Sequence, residues 1–336
     1  MLADNGKWFN LGCQGPDIFY HNQRTRPLSV LYGSLIHKRG IGALCSALAS
    51  SCSEPDASSS TLNDAWRAFV LGFISHVELD RLSHPYIVHM AGWVIPGRPE
   101  SDDYRSCHPF LERVLDCLLW EKETGTAIRD FHQREELVPS EPIPAAFIER
   151  LSTAFRLAYP LRAHGDEELS LRMENAFLDA LYFYSRSDPS RTTMTEGCPH
   201  GYGPAFVQHG YRSVSVVYPE GIDAAIDWAN QSRIAWRHPC DPPRQSNASY
   251  FELCAQAVER AAPQMLAAYE AMNGSSSSST RLEALIGDGT MNVGDEQGVQ
   301  SRALHMAPLP IKSAMQEQFK RRVDLIHSTC PDADLD

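Results

Sequence analysis

The sequence predicts an all-α fold, and two observations support that prediction. Apolar residues recur at intervals of three and four along most of the chain, which is the spacing of residues on one face of an α-helix. Alternation with a period of two, typical of a half-buried strand, occurs only at residues 213–218. We therefore expect a multi-helix bundle in which that short segment is the single strand.

The apolar repeats justify the helices in chain order. Residues 62–90 carry the strongest repeat, with Trp66, Phe69 and Phe73 on one face. Loops rich in Ser, Pro and Gly precede and follow this helix. The next helix begins near Pro109, because proline fits the first turn of a helix. Weaker repeats predict further helices over residues 144–159, 169–184, 221–234 and 250–272.

A run of five consecutive serines begins at residue 275 and separates the segments with helical apolar repeats from the C-terminal residues. Serine-rich, glycine-flanked segments are typical of flexible linkers. Residues 1–273 are therefore predicted to form one helical domain. Residues 274–336 are predicted to be a serine-rich linker and a C-terminal extension that is disordered in part.

The composition excludes several classes of protein. The 336 residues are 43% hydrophobic and 21% charged, which suits a large buried core. A formal net charge of −12 disfavours general binding to nucleic acid or to anionic membrane surfaces, since both attract basic proteins. No apolar run is long enough to span a membrane. The nine scattered cysteines include no C-x-x-C pair, which argues against thiolate zinc sites and a disulfide framework.

The N-terminal residues lack the charged start and apolar run of a secretory signal, so we expect a cytoplasmic protein. Secretion would be expected instead if the natural chain extended further at its N-terminus. The sequence does not indicate which oligomeric state the protein adopts.

Potential metal ligands lie inside segments that otherwise read as buried helix. Such side chains are costly to bury unless they are paired or bound to metal. The candidate ligands are Asp17, His37, His76, Asp80, His84, His108 and Glu112. Their number exceeds the four ligands of one tetrahedral zinc ion and suits two ions that share a carboxylate.

The spacing of these residues provides two pairs of ligands. His76 and Asp80 are four residues apart, so both project from the same helical face. His108 and Glu112 repeat this spacing at a predicted helix start, and His84 follows Asp80 by a further turn. One such pair alone is usually a capped or solvated histidine. Imidazole and carboxylate ligands without thiolate favour zinc in a catalytic role, and two neighbouring ions suit phosphate-ester hydrolysis.

An ordered series of motifs resembles the bacterial zinc-dependent phospholipase C family, which is related in architecture to the single-strand-specific zinc nucleases. The resemblance covers residues 10–272. The motifs are LGCQGPDIFY at residues 11–20, IHK at 36–38, LGFISHVELDRLSHPYI at 71–87 and HPFLE at 108–112, with weaker similarity at WRHP, residues 236–239, and SYFEL, residues 249–253.

This resemblance implies a phospholipase C/P1-nuclease-like bundle whose metal site lies in a cleft between helices. It implies two or three zinc ions. His37, His76 and Asp80 would bind one ion, and the ligands of another would be His84, His108 and Glu112. Asp17 matches the aspartate beside the metals, which acts as general base or orients the attacking water. The chain departs from the family in lacking a histidine before His21, which would complete a third site.

The function expected from these features is zinc-dependent hydrolysis of a phosphodiester by a metal-bound hydroxide, with a phospholipid head group as the leading substrate. The alternatives are a zinc-dependent nuclease or nucleotidase, and a non-catalytic helical protein that zinc stabilises. His21 and Arg24 are secondary candidates for phosphate contact, and His89 is a candidate partner of a ligand.

Overall fold

A computed structural model describes residues 4–52, 60–192, 210–293 and 303–329. The structure is 65% helical and 3% strand, which confirms the all-α class. In these ranges the α-helices are α1 (Gly6–Gly12), α2 (Asp17–Tyr20), α3 (Val30–Ile36), α4 (Ile41–Ser50), α5 (Ser60–Ala91), α6 (Tyr104–Thr124), α7 (Gln133–Leu137), α8 (Ala145–Ala158), α9 (Pro160–Ala163), α10 (Leu169–Arg186), α11 (Pro189–Thr192), α12 (Tyr250–Met272), α13 (Ser276–Ile286) and α14 (Ile311–Thr329). Three short 3-10 helices cover Pro99–Ser101, Ile128–Asp130 and Gly210–Val216. The strands β1 (Trp236–His238) and β2 (Asp241–Ser246) form an antiparallel pair.

The chain divides into two compact units, each assembled from three segments. The first unit comprises Met1–Leu82, Arg134–Tyr184 and Cys254–Gln300. The second comprises Ser83–Gln133, Ser185–Leu253 and Ser301–Asp336. These boundaries differ from the predicted division at residue 273. The helices α5 and α12 each contribute residues to both units.

Aromatic side chains of three helices form the centre of the first unit. Trp66 and Phe69 of α5 contact Phe147 of α8, with ring centroids 4.7 and 5.0 Å apart. Phe177 of α10 lies 5.8 Å from Phe69, and all four side chains are almost completely buried. Burying one such side chain contributes about 1.5–3 kcal/mol. The apolar stripe predicted for residues 62–90 therefore supplies this core.

Helices α1 and α5 cross at a close contact between two glycines. A Cβ atom added to Gly12 would overlap the carbonyl oxygen of Phe69, and one added to Gly72 would overlap that of Phe9. Only glycine permits backbones to approach this closely. The crossing brings the end of α1 beside the part of α5 that carries His76.

The second unit packs α6 against the 3-10 helix Gly210–Val216 and against α14. Phe110, Val214 and Ile311 are buried in this arrangement. The hydroxyl of Tyr86 donates to the carbonyl oxygen of Trp228. Tyr86 also contacts the ring of Trp236 on β1, 5.6 Å away.

The predicted strand at residues 213–218 is wrong. Residues 213–216 belong to a 3-10 helix, whose period of three residues buries Val214 and Val217 and exposes Val216. Val214 and Val216 are two residues apart, as in a strand, whereas Val214 and Val217 are three apart, as in a 3-10 helix. Packing against the neighbouring helices buries the pair that is three apart.

The predicted helix at residues 221–234 is also wrong, because the structure has turns there. The carboxylate of Asp227 accepts from the backbone N–H groups of Gln231 and Ser232, at 2.7 and 2.8 Å. Asn230 and Arg233 both have positive φ, which interrupts helical geometry. Side chains that bond nearby backbone groups compete with the helix in this way.

The serine run is not a linker in the structure, because Ser276 begins α13. Ser275 caps that helix by accepting from the backbone N–H of Ser278. Helix α13 packs on α4 and buries Leu282 and Ile286. Serine is a favoured residue at helix starts, so the same composition that predicted a linker here initiates a helix.

Helix α6 begins earlier than predicted, at Tyr104. His108 and Glu112 therefore lie within the helix and do not straddle its start. Helix α5 continues through Pro85 to Ala91. Both helices contain the i, i+4 ligand spacing on regular backbone, where it places the two side chains on one face.

Candidate metal centre

Three short stretches of the first unit place polar groups around one point. Asp17 is the first residue of α2, and His37 directly follows α3. His76 and Asp80 project from the same face of α5. His37 and His76 are buried, whereas the side chain of Asp17 is 46% exposed. The sequence therefore folds residues 17, 37, 76 and 80 into one cluster, which we call the first centre.

The ligand atoms of the first centre are close together. His37 Nε2 lies 3.2 Å from Asp17 Oδ1 and 3.5 Å from Asp80 Oδ2. His76 Nε2 lies 3.1 Å from the same Asp80 oxygen. Ligand atoms of Asp17, His37 and His76 all lie within 4.8 Å of one another. One carboxylate oxygen thus faces both imidazoles, while a second carboxylate approaches from α2.

The other ring nitrogen of each histidine faces a backbone carbonyl. His37 Nδ1 lies 2.7 Å from the oxygen of Gly33, and His76 Nδ1 lies 3.0 Å from that of Cys13. These contacts favour the tautomer with hydrogen on Nδ1, which leaves a lone pair on Nε2. His76 Nε2 is buried and has no hydrogen-bond partner within the described ranges, although Asp80 is near. Two electron-rich atoms at this separation require a cation or a proton.

The carboxylates favour positive charge at this position. Burial of His37 opposes its protonation, yet Asp17 and Asp80 outweigh that effect and raise its pKa to about 10. Burial likewise opposes protonation of His76, but Asp80 and Asp17 raise its pKa. A divalent cation can supply the same charge while binding both Nε2 atoms. The donor set, two imidazole nitrogens and two carboxylates without thiolate, fits zinc.

The surroundings of the first centre restrict its shape. Gly15 has a φ of +53°, and a Cβ atom there would overlap the imidazole of His76. The ring of Tyr20 stacks on His37 with centroids 4.9 Å apart. Both contacts limit rotation of the imidazoles. A ligand ring held in this way loses little conformational entropy when it binds metal.

A second cluster lies in the second unit and consists of His84, His108 and Glu112. His108 Nε2 lies 2.9 Å from Glu112 Oε1, and His84 Nε2 lies 3.7 Å from the same oxygen. The imidazole rings of His84 and His108 are 5.2 Å apart. Partial burial would raise the pKa of Glu112, but the two histidines outweigh it and hold the pKa well below its usual range. We call this cluster the second centre.

The second centre differs from the first in its supporting contacts. His108 Nδ1 is buried and lacks a hydrogen-bond partner among the residues that the structure describes. Metal-bound histidines usually donate from their other nitrogen. Trp93 meets His108 edge-on at 5.6 Å and limits its rotation. The second centre therefore offers three donor groups, one of them the imidazole of His108 without a supporting carbonyl, and the first offers four donor groups with two supporting carbonyls.

All seven residues predicted as ligands belong to one of these two centres. The secondary candidates belong to neither. His21 stacks on Phe183 at 4.2 Å, and Arg24 lies over the ring of Tyr182 at 3.6 Å. His89 Nδ1 lies 3.1 Å from the carbonyl oxygen of His305. A turn-rich loop at residues 198–204, a further candidate to line a site, lies outside the described residues.

Sequence reasoning missed the backbone groups that orient the imidazoles. The carbonyl oxygens of Cys13 and Gly33 carry no residue-specific signature, because every residue has one. The only indication in the sequence is the pair Gly12 and Gly15 flanking Cys13, which marks a place of close approach.

No protein-family model matches the chain, and comparisons with curated proteins and with solved structures find no match either. None of the described helices combines the length and the apolarity that crossing a bilayer requires. The candidate function therefore rests on the residues and their geometry.

Proposed function

We propose that the chain is a zinc-dependent hydrolase that cleaves a phosphodiester, with a phospholipid head group as the leading substrate class. The observation that carries the proposal is the first centre. There His37 and His76 direct Nε2 at the carboxylates of Asp17 and Asp80 while their Nδ1 atoms face backbone carbonyls. This arrangement suits a bound divalent cation.

The chain's own residues divide the work in this proposal. His37, His76 and Asp80 would hold one zinc ion, and His84, His108 and Glu112 would hold another. Asp17 has the most exposed carboxylate of the first centre, so water and substrate can reach it. It would accept a proton from the attacking water or orient that water. When bound, zinc polarises a phosphoryl oxygen and makes water more acidic.

The choice of a phosphodiester rests on the order of the sequence motifs and on the ligand chemistry. Phosphoryl transfer needs neutralisation of charge on phosphate oxygens more than it needs a protein nucleophile. Histidine and carboxylate centres provide that neutralisation through their metals. The net charge of −12 disfavours nucleic acid and anionic lipid surfaces alike, so a zwitterionic lipid or a small phosphodiester is the favoured substrate.

Three substrates and one chelator test the proposal. Zinc-loaded full-length protein is incubated with phosphatidylcholine vesicles, a bis-aryl phosphodiester and single-stranded DNA, and released phosphate esters are measured. We expect hydrolysis of the lipid or aryl ester that stops on chelation and returns with zinc. Cleavage of DNA alone would assign the nuclease function, and loaded protein that cleaves none of the three would contradict hydrolysis.

The number of donor groups in the first centre favours a second candidate, a non-catalytic zinc-stabilised protein. Asp17, His37, His76 and Asp80 could close a tetrahedral site, and closed sites are typical of structural zinc. Cobalt substitution separates the two candidates. An absorption spectrum unchanged by added phosphate would indicate closed coordination, whereas a spectrum that shifts would indicate an open position.

A further inference from the structure

Residues 286–291 begin at the last residue of α13 and pass beside the first centre without contributing a ligand to it. The sequence of this segment, IGDGTM, superficially resembles a phosphate-binding loop but lacks the lysine of one. Its polar groups instead form hydrogen bonds with two parts of the first unit. One is Arg81, which follows the ligand Asp80 on α5, and the other is the chain around His37.

The contacts to Arg81 hold one side of the segment. The guanidinium of Arg81 donates to the carbonyl oxygens of Ile286, Gly287 and Gly289, the last at 2.8 Å. It also pairs with Glu78 at 3.2 Å. Arginine presents several donors in a rigid fork, so these bonds fix the segment relative to α5.

The contacts to His37 hold the other side. The carbonyl oxygen of His37 accepts from Thr290 Oγ1 at 2.8 Å and from the backbone N–H of Met291 at 2.9 Å. Three residues later, the backbone N–H of Gly40 donates to the carboxylate of Asp288. The segment therefore connects the backbone of one ligand to the residue adjacent to another.

We propose that residues 286–291 form a clasp that sets the separation of His37 and Asp80 and so determines the zinc affinity of the first centre. This inference rests on the proposed zinc binding. The two ligands are 43 residues apart in the sequence and share no helix: His37 follows α3, and Asp80 belongs to α5. Their facing atoms are 3.5 Å apart. Thr290 and Arg81 are positioning residues, since they act on the ligands through backbone contacts.

The test compares substitutions that remove single hydroxyl groups. Thr290→Val keeps the shape of the side chain and removes its bond to His37, while Thr290→Ser keeps the hydroxyl. Ser46→Ala is the matched control, because Ser46 Oγ donates to the carbonyl oxygen of Ser279 at 3.1 Å and ties α4 to α13. Zinc affinity is measured by competition with a chromogenic chelator on the full chain, and thermal unfolding of the metal-free variants is measured in parallel.

We expect Thr290→Val to weaken zinc binding by about tenfold, as for groups that support a ligand. Thr290→Ser should restore the affinity, and Ser46→Ala should leave it unchanged at a comparable loss of stability. Arg81→Met should weaken binding further, because it removes the contacts at the other side of the clasp.

Two outcomes overturn the inference in distinguishable ways. Wild-type affinity in Thr290→Val, or an equal loss in Ser46→Ala, would show that the segment only stabilises the fold. Wild-type protein that binds no zinc would contradict the proposed function and the clasp with it.

Discussion

At the residue scale, the second ring nitrogen distinguishes His37 and His76 of the first centre from His108 of the second. His37 and His76 each have a backbone carbonyl for Nδ1, so Nε2 is directed to the carboxylates. His108 has no such partner for Nδ1 within the described ranges. Because a supported imidazole is a stronger and better oriented ligand, the first centre should bind zinc more tightly than the second.

Substitution of the ligands should separate binding from turnover. His76→Ala and Asp80→Asn should each reduce zinc content and stability, because the remaining buried ligands lose a partner. Asp17→Asn should reduce turnover more than zinc occupancy. Elemental analysis and activity are measured together, with His164→Ala as control because His164 is exposed. Equal losses of zinc and activity in Asp17→Asn would make Asp17 a ligand.

Gly15 provides a test of the space around His76. Gly15→Ala places a methyl group where the imidazole lies and requires a left-handed backbone that alanine disfavours. We expect zinc affinity to fall by at least tenfold, on the scale of lost support for a ligand. Calorimetric titration with zinc measures the change. Unchanged affinity would mean that His76 can move and still bind.

At the element scale, the crossing of α1 and α5 positions His76. Gly72→Ala inserts a methyl group against the carbonyl oxygen of Phe9, so we expect a destabilisation of about 1–3 kcal/mol from overpacking. Gly6→Ala is the matched control, because Gly6 is a helical glycine with open space around it. Urea unfolding measures both. Alanine favours the helix more than glycine does, so a loss as large in the control would contradict the assignment of the destabilisation to the crossing.

The end of α5 provides a test of pH dependence. Burial lowers the pKa of His89, whose Nδ1 lies near the carbonyl oxygen of His305. At a pH between the lowered folded pKa and the unfolded pKa, His89 binds a proton in the unfolded chain but not in the folded chain. The stability contributed by neutral His89 is therefore present above about pH 6.5 and is lost as pH falls through the lower folded pKa.

The variant His89→Gln isolates this effect from the other histidines. The difference in unfolding free energy between wild type and variant should be smaller at about pH 5.5 than at about pH 7.5. Urea unfolding at both values measures it, with His132→Gln as an exposed control. A difference that grows on acidification would mean that folded His89 is protonated.

At the scale of the whole molecule, zinc stoichiometry and stability should change together. Purified protein should carry about two zinc ions per chain, one for each centre. Zinc at one hundred times its Kd should add about 2.7 kcal/mol of stability per site. Elemental analysis and thermal unfolding with and without chelator measure both. A ratio near one would assign zinc to a single centre, and no zinc after supplementation would exclude the site.

The helices were predictable where they depend on local periodicity. The prediction for residues 250–272 matches α12, and that for residues 62–90 matches α5 within two residues at the start and one at the end. The helix predicted for residues 221–234 is absent because the carboxylate of Asp227 accepts hydrogen bonds from backbone N–H groups. A pattern of hydrophobic residues does not reveal such a bond. Local patterns thus predict long helices better than they predict turns stabilised by side chains.

The sequence by itself determined the all-α class and the two ligand pairs, because a spacing of four residues on a helix places two side chains on one face. The family resemblance already grouped Asp17 and His37 with His76 and Asp80. Only the tertiary structure decided how far apart their donor atoms lie, that Cys13 and Gly33 orient the imidazoles, and that residues 286–291 contact His37. Those contacts join segments far apart in the chain. Their geometry depends on helix crossings and backbone carbonyls, which have no residue-specific pattern in a sequence.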